Sequence, residues 1–423
     1  VINWEFLNPF FNSKFKTLRP NPSLLIMNLV VTLEYRFDRT PDGKVWTQTT
    51  FPYSFWTRYL QVFDRVRVVA RVRDVPNVPS DWKEANGEGV SFAAIPYYIG
   101  PWQYLLKSRQ VNQVARNSVG PDDAVIFRLG SQIASCIQPM LFRSGHPYGV
   151  EVVADPYDVF APGAIKHPLR PFFRWSSPPN LRRQCRDAMA AAYVTKHALQ
   201  QRYPCGNFSV GISDVDISER TLVSSSRLPR QGGTFNLIFV GTMAQLYKAP
   251  DVLIDAFALC VREGLDIKLT MIGDGKHRSE LEAKAKALSL GDRVSFLGQL
   301  SGGDAVIAQL DLADLFVLPS HQEGLPRAMV EAMARSLPCI GSTVGGIPEL
   351  LESEDMVPPG DAVSLANKIR EVVTDRDRMT RMSARNLEKA KDYRDEVLRE
   401  RRNEFYSHVR EMTEAWLKQK QKT

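Results

Sequence analysis

The sequence has little from which to build a metal centre or a disulfide framework. Its five cysteines (Cys136, Cys185, Cys205, Cys260, Cys339) are odd in number and scattered, and its six histidines form no cluster. A disulfide scaffold and structural zinc are both disfavoured, and a reducing cytoplasm is the expected home. No apolar run approaches the roughly eighteen residues needed to cross a bilayer. No strand-like run is followed by G-x-G-x-x-G, which argues against a dinucleotide-binding oxidoreductase. Repeats and low-complexity segments are missing too. What is present is a chain of 423 residues, 44% apolar and 24% charged, long enough for two ordinary cores. Its net charge of +7 fits an anionic partner: a phosphorylated substrate, an anionic membrane or, on charge alone, nucleic acid.

Residues 320–350, SHQEGLPRAMVEAMARSLPCIGSTVGGIPEL, organise the rest. The apolar run 315–318 before them reads as a buried parallel strand. Pro326 suits the first position of a following helix. Glu323 is then expected in the loop above the strand, and Glu331 little more than one turn into the helix. Both carboxylates would face the crevice at the carboxyl end of a parallel sheet, where such folds bind ligands. The helix N-terminus between them offers unpaired N–H groups and partial positive charge to a phosphate. The arrangement suits a ligand with phosphate at its middle and hydroxyls at both ends, as in a nucleotide-sugar.

In these residues the chain resembles the retaining glycosyltransferases of family 4, whose signature is E-x7-E. The resemblance covers residues 236–350 well and the remainder more loosely. It implies an α/β architecture of GT-B type: two Rossmann-like, doubly wound parallel-sheet domains facing across a cleft. We expect an extraneous leader over 1–26 and an acceptor-side domain over 27–212. A linker is expected over 213–234, a nucleotide-sugar-binding domain over 235–394, and a helix crossing back to the first domain, with a frayed tail, over 395–423. Glu396, Val397, Arg401 and Phe405 suit that crossing.

The resemblance also assigns residues. Members carry an arginine and, about six positions on, a lysine that grip the donor diphosphate. Lys248 matches the lysine, and Thr242 stands where the arginine is expected. Lys276, Arg278 or Arg327 could compensate. Donor-binding positions are Gly241, Thr242, Lys248, Gly273, Gly298, Glu323, Gly324, Leu325, Arg327 and Glu331. Gly241, Gly273 and Gly298 are read as strand ends where a Cβ would hold a ligand off the backbone. Glu323, Lys248 and Arg128 are the catalytic candidates. Gly43, in place of a Gly-rich loop, and Asp155 are placed on the acceptor side.

Asp214 and Asp216 form a D-x-D triplet of a kind that holds metal in other sugar transferases. It belongs to a different fold type and is not read as a metal site, so neither metal nor cofactor is expected. The partners implied are a nucleotide-sugar donor and a saccharide or lipid-linked saccharide acceptor, without nucleic acid. Six of seven tryptophans (Trp4, Trp46, Trp56, Trp82, Trp102, Trp175) fall in the first half; most are expected in the core. The sharper alternative is an interfacial role, with the first domain resting on an anionic membrane. A non-catalytic nucleotide-sugar-binding subunit and a GT-B epimerase remain alternative functions.

Overall fold

The computed structural model describes residues 26–48, 50–128, 130–160, 168–215, 217–230, 232–300 and 303–422. Trp4, Asp216 and nearly all of the expected leader lie outside them. Two sheets organise these residues. The first contains β1 (Asn28–Arg39), β2 (Val45–Thr47), β3 (Arg65–Asp74), β4 (Lys83–Glu84), β5 (Val90–Pro96), β6 (Ala124–Arg128), β7 (Gly149–Val152), β8 (Ala190–Tyr193) and β9 (Phe208–Gly211). Its parallel strands run β5-β3-β1-β6-β7-β8-β9, with β2 and β4 added antiparallel beside the far half of β1.

The second sheet is wholly parallel. It contains β10 (Phe235–Val240), β11 (Ile267–Ile272), β12 (Val294–Gly298), β13 (Leu315–Leu318), β14 (Cys339–Ser342) and β15 (Met356–Val357), in the order β12-β11-β10-β13-β14-β15. Strand order reverses between β10 and β13. In a doubly wound sheet that switch point leaves a crevice at the carboxyl edge, because the two flanking chains depart to opposite faces. Leu315, Phe316, Val317 and Leu318 are all buried, as a strand covered by helices on both faces requires.

In the first sheet the period of two divides the core. Leu29 and Val31 point to one face and pack with Trp56, Tyr59 and Phe63, while Val30 points to the other with Val111 and Ile133. The first of these faces is completed by the last helix, Asp395–Lys420, which contributes Phe405, Tyr406, Val409 and Leu417. A Cβ on Gly149 would come within 2.7 Å of Val409 Cγ2, so the helix lies directly on β7. Tyr406 also donates to Glu151 at 3.4 Å, joining a buried polar group that includes Tyr59 and Arg128.

Several local expectations change. Residues 36–39 continue β1 past a bulge and into a hairpin, beyond the apolar part of the strand. The C-terminal end stays helical through Lys420 where fraying is expected. Phe405 is buried in the crossing helix, but Glu396 is exposed. Of the described tryptophans of the first half, only Trp56 is fully buried, while Trp102 and Trp175 are 73% and 77% exposed.

His146 sits where the last helix meets the first domain. Its ring stacks on Trp416 with centroids 4.3 Å apart, and its Nε2 lies 2.9 Å from the Asp123 carbonyl oxygen. That partner assigns the neutral tautomer with Nε2–H donating. Burial first, and then the Lys420 charge, lower its pKa from 6.5, against the opposing pull of the Asp123 backbone bond and of Asp122 and Asp123. A depressed folded pKa contributes stability that is present above the unfolded value and lost as pH falls through the folded one. Melting temperature should therefore drop on acidification from about pH 7 to about pH 5, and drop less in His146→Phe. Equal drops in both proteins would remove His146 from the account.

Candidate functional site

The loops after β10 and β13 flank the switch point, and they bring Lys248 and Glu323 together. Lys248 ends a 3-10 turn, Leu246–Lys248, directly before the helix Pro250–Arg262. Its Nζ donates to Glu323 Oε1 at 2.7 Å, and Ser320 Oγ donates to the same oxygen at 2.7 Å. Both charged side chains are largely buried, 14% exposed for Lys248 and 7% for Glu323. The loops are also tied through backbone, His321 N–H donating to the Tyr247 carbonyl at 2.7 Å.

Glycines set the shape of this corner, for a reason other than the one read from sequence. A Cβ on Gly241 would meet Lys248 Cδ at 2.5 Å, so the missing side chain makes room for the lysine stem. At Gly273 a Cβ would overlap the Gly241 carbonyl, and at Gly298 it would meet Arg278 Nη1 at 2.8 Å. The space that was assigned to an approaching ligand is filled by the protein itself. Gly345, with φ of +53°, matters most, because a Cβ there would overlap the Glu323 carbonyl. Its neighbour Gly346 donates N–H to Gly324 O at 2.6 Å. Leu325 is buried beneath this clamp.

The helix Arg327–Ala334 follows, with Pro326 as its N-cap, one position earlier than expected. No side chain caps it, so its first N–H groups and dipole face the crevice region beside Glu323. Arg327 is exposed, and among the described residues no hydrogen bond or ion pair holds it. Burial raises the pKa of Tyr247, next to Lys248, with Lys248 and then Arg327 opposing it, whereas Asp214 of the linker is held low against burial by Arg128, Arg58 and, last, Arg327. Glu331 is half-buried on the same helix.

The position expected to hold an arginine is different. Thr242 Oγ1 accepts from Ala244 N–H at 3.1 Å and shapes the loop. Arg278 cannot stand in for it, being bound to Asp274, Glu282 and the Phe296 carbonyl. Arg327 and the exposed Lys276 remain as cations without such ties.

The candidates from the first domain are placed otherwise than expected. Arg128 is buried, with Glu151 at 2.6 Å on one side and Asp214 on the other, so both ends of its guanidinium are engaged. Asp155 caps the short helix Pro156–Val159, accepting from Tyr157 N–H at 2.8 Å and also from Arg202 and Tyr203. It holds a loop and offers no free oxygen to an acceptor. Gly43 turns the β1–β2 hairpin at φ +83°, so no Gly-rich loop stands after the first strand. Asp214 of the D-x-D triplet is paired with Arg128 and Arg58. Among the described residues no group of three His, Cys, Asp or Glu is placed to hold a metal.

One residue unmarked in the sequence is Glu349, in the turn Ile347–Glu349. Its carboxylate accepts three backbone N–H groups of the first domain, from Lys196, His197 and Ala198, at 2.6, 3.0 and 2.7 Å. Beside it, Gly324 packs against the Val153 carbonyl, where an added Cβ would lie 3.0 Å away. The Glu323 loop thus faces the end of β7 in the first sheet. No periodicity marks a lone glutamate that caps another domain's loop.

Comparison with known proteins agrees with this geometry. Residues 224–389 match the family model described as glycosyl transferases group 1. Protein CapJ of Staphylococcus aureus is 29% identical over 324 residues, spanning 75% of this chain and 80% of that protein. N-acetyl-alpha-D-glucosaminyl L-malate synthase of Bacillus anthracis is 34% identical over 155 residues, 36% of this chain and 39% of that protein. Among solved structures, sucrose-phosphate synthase of Thermosynechococcus elongatus superposes with a TM-score of 0.64 at 15% identity, over 92% of this chain and 100% of its own. HepE of Anabaena in complex with UDP-glucose superposes with a TM-score of 0.58 at 16% identity, over 89% and 98%. With two sheets, the second of which carries the Lys248–Glu323 corner, the chain has the GT-B fold, and its residues 224–389 are those of a group 1 glycosyltransferase.

Proposed function

We propose that the protein moves a hexosyl group from a nucleoside-diphosphate sugar to a saccharide or lipid-linked saccharide, with retention of configuration. The observation that carries this reading is the buried Lys248–Glu323 pair beside an uncapped helix N-terminus at the switch point. The donor diphosphate takes Lys248, the first N–H groups of the helix Arg327–Ala334, and Arg327 in place of the arginine that Thr242 lacks. Glu323, released from part of its lysine contact, orients the sugar hydroxyls, and Glu331 holds the ribose. As the C1–O bond to the β-phosphate breaks, charge grows on the phosphate where these groups already point, and electrostatic stabilisation of that charge supplies most of the rate. The acceptor oxygen bonds to C1 on the face the phosphate leaves, and its proton passes to the departing phosphate oxygen. The names of two relatives, an amylovoran biosynthesis glycosyltransferase and a putative colanic acid biosynthesis glycosyltransferase, support a place in surface polysaccharide or glycoconjugate synthesis. The vacant arginine position at Thr242 favours a second reading, a subunit that binds a nucleotide-sugar without turning it over.

Glu323→Gln should keep the fold and lower turnover by more than about tenfold, whereas Glu331→Ala should mainly weaken nucleoside-diphosphate binding. Release of nucleoside diphosphate that depends on added acceptor is the measurement, and wild-type turnover in folded Glu323→Gln removes the assignment. We read the diphosphate charge as met by protein groups, so turnover should survive excess EDTA. Loss restored by magnesium or manganese would reverse that reading.

The first domain is proposed to rest on the inner face of the cytoplasmic membrane. The helices Gly100–Asn117 and Arg170–Arg186 expose Trp102, Leu106, Phe172 and Trp175, and the second also carries Arg182, Arg183 and Arg186. No helix among the described residues is long and apolar enough to cross a membrane, so attachment would be interfacial and weakened by salt. The protein should sediment with anionic liposomes at low salt and less at high salt. Remaining in the supernatant at low salt while glycosylating a soluble acceptor would exclude this contact.

A further inference from the structure

A second cavity, of about 490 Å³, opens where β1, β3 and β5 end. Arg36, Gln48, Arg71, Arg73, Trp82 and Tyr97 line it. The continuation of β1 into the β2 hairpin builds one wall, and the N-terminus of the helix Gly100–Asn117 borders it. This is the carboxyl edge of the first sheet, the edge on which the Glu323 loop meets the end of β7. Neighbouring strands lie about 4.8 Å apart. In the order β3-β1-β6-β7, the cavity therefore begins about 10 to 15 Å along the sheet edge from that meeting point.

Its polar groups divide into those already paired and those left open. Both acids on its wall are taken. Glu34 accepts from Arg71, the Tyr98 hydroxyl and Ile133 N–H, and Asp38 accepts two bonds from Arg73, at 2.9 and 2.7 Å. Arg71 is held further by the Tyr98 and Glu34 carbonyls. What remains open is almost wholly donor. Arg36 is exposed and has no hydrogen-bond or ion-pair partner among the described residues, and Arg73 keeps an outer edge on a side chain 51% exposed. The Gln48 amide and the Trp82 indole N–H have no partner there either. Two half-buried rings, Trp82 and Tyr97, stand beside these donors, the Arg73 guanidinium lying 5.1 Å from the Tyr97 centroid.

An aromatic wall fits the apolar face of a sugar ring, and an open guanidinium edge fits an oxyanion. We infer that this cavity is an acceptor subsite for a negatively charged saccharide unit, bearing a carboxylate or a phosphate, placed away from the hydroxyl that is glycosylated. The inference rests on the transferase reading, and it adds the charge and place of one acceptor unit. Arg36 is the specificity-determining residue and Trp82 the stacking platform. The acceptors left open are neutral, the Gln48 amide oxygen and the Tyr97 hydroxyl, and both lining carboxylates are already paired with arginine.

The test is binding of defined tetrasaccharides to the full chain, measured calorimetrically at low salt. The carboxylate pair is alternating glucuronate and N-acetylglucosamine against its carboxyl-reduced form. The phosphate pair is maltotetraose with and without a terminal phosphate monoester. At least one anionic member should bind about tenfold or more tightly than its neutral counterpart, and which pair shows the preference identifies the oxyanion. Arg36→Glu should abolish the preference, Arg36→Lys should restore part of it, and Trp82→Ala should weaken both members of the pair. Equal binding within both pairs, no binding by any probe, or a preference that survives Arg36→Glu overturns the inference. Thermal stabilisation by UDP, run alongside, should be unchanged in Arg36→Glu. Saccharide selectivity without any UDP effect would leave the subsite standing and sink the donor reading, and the reverse pattern would do the opposite.

Discussion

The pairing of Lys248 with Glu323 is the constraint from which the rest of the site follows. Two opposite charges that are mostly withdrawn from water hold each other, and removing either leaves an uncompensated buried charge worth about 3–5 kcal/mol. The pair can exist only if two loops from different strands approach to hydrogen-bonding distance. That in turn requires the strand-order reversal between β10 and β13, the bare Cα of Gly241 under the lysine stem, and the left-handed turn at Gly345 under the Glu323 carbonyl. The glycines that punctuate this half of the chain serve that approach of backbone to backbone.

The second domain was the more legible half, and the physical reason is burial on both sides. A strand such as Leu315–Leu318 must be apolar throughout, so it stands out in a single sequence, as do the helices that alternate with it. The E-x7-E segment could be placed for the same reason, since Glu323 and Glu331 are located by the strand before them and the helix around them. The first domain resisted. Arg128 and Asp155 look alike in sequence, each a polar residue where an apolar strand stops. Whether such a residue faces a ligand or turns inward depends on Glu151, Asp214, Arg202 and Tyr203, which come from elsewhere in the chain. The continuation of β1 was hidden similarly, because Arg36 and Asp38 lower its apolar character while β2 and β3 supply its pairing. The exposed Trp102 and Trp175 show the same limit from the other side, since apolar character alone does not tell an inward face from an outward one.

The two domains share an apolar cluster and, beside it, a set of polar contacts. Glu349 gathers three N–H groups of the loop after β8, and Lys196 of the same loop pairs with Asp392 at 2.8 Å. Hydrogen bonds to a charged carboxylate are stronger than neutral ones, yet they are few and can be exchanged for water at modest cost. Gly345 packs on the Glu323 carbonyl and Glu349 follows the same turn, so a shift of that turn would be felt in both.

The helix Asp395–Lys420 has a consequence for how the protein is made. Phe405, Tyr406 and Val409 complete a core whose other members, Leu29, Val31, Tyr59 and Phe63, lie near the start of the chain. The whole second domain is translated between them. A growing chain ordinarily folds its leading domain first, as a unit. Here that domain emerges with one face of its sheet only partly covered, by Trp56, Tyr59 and Phe63, and with Glu151 lacking its Tyr406 contact. It can close only when the last helix is released from the ribosome. Until then it presents an apolar surface of the sort that chaperones hold and that aggregation exploits, so residues 405–417 decide the fate of residues 29–63.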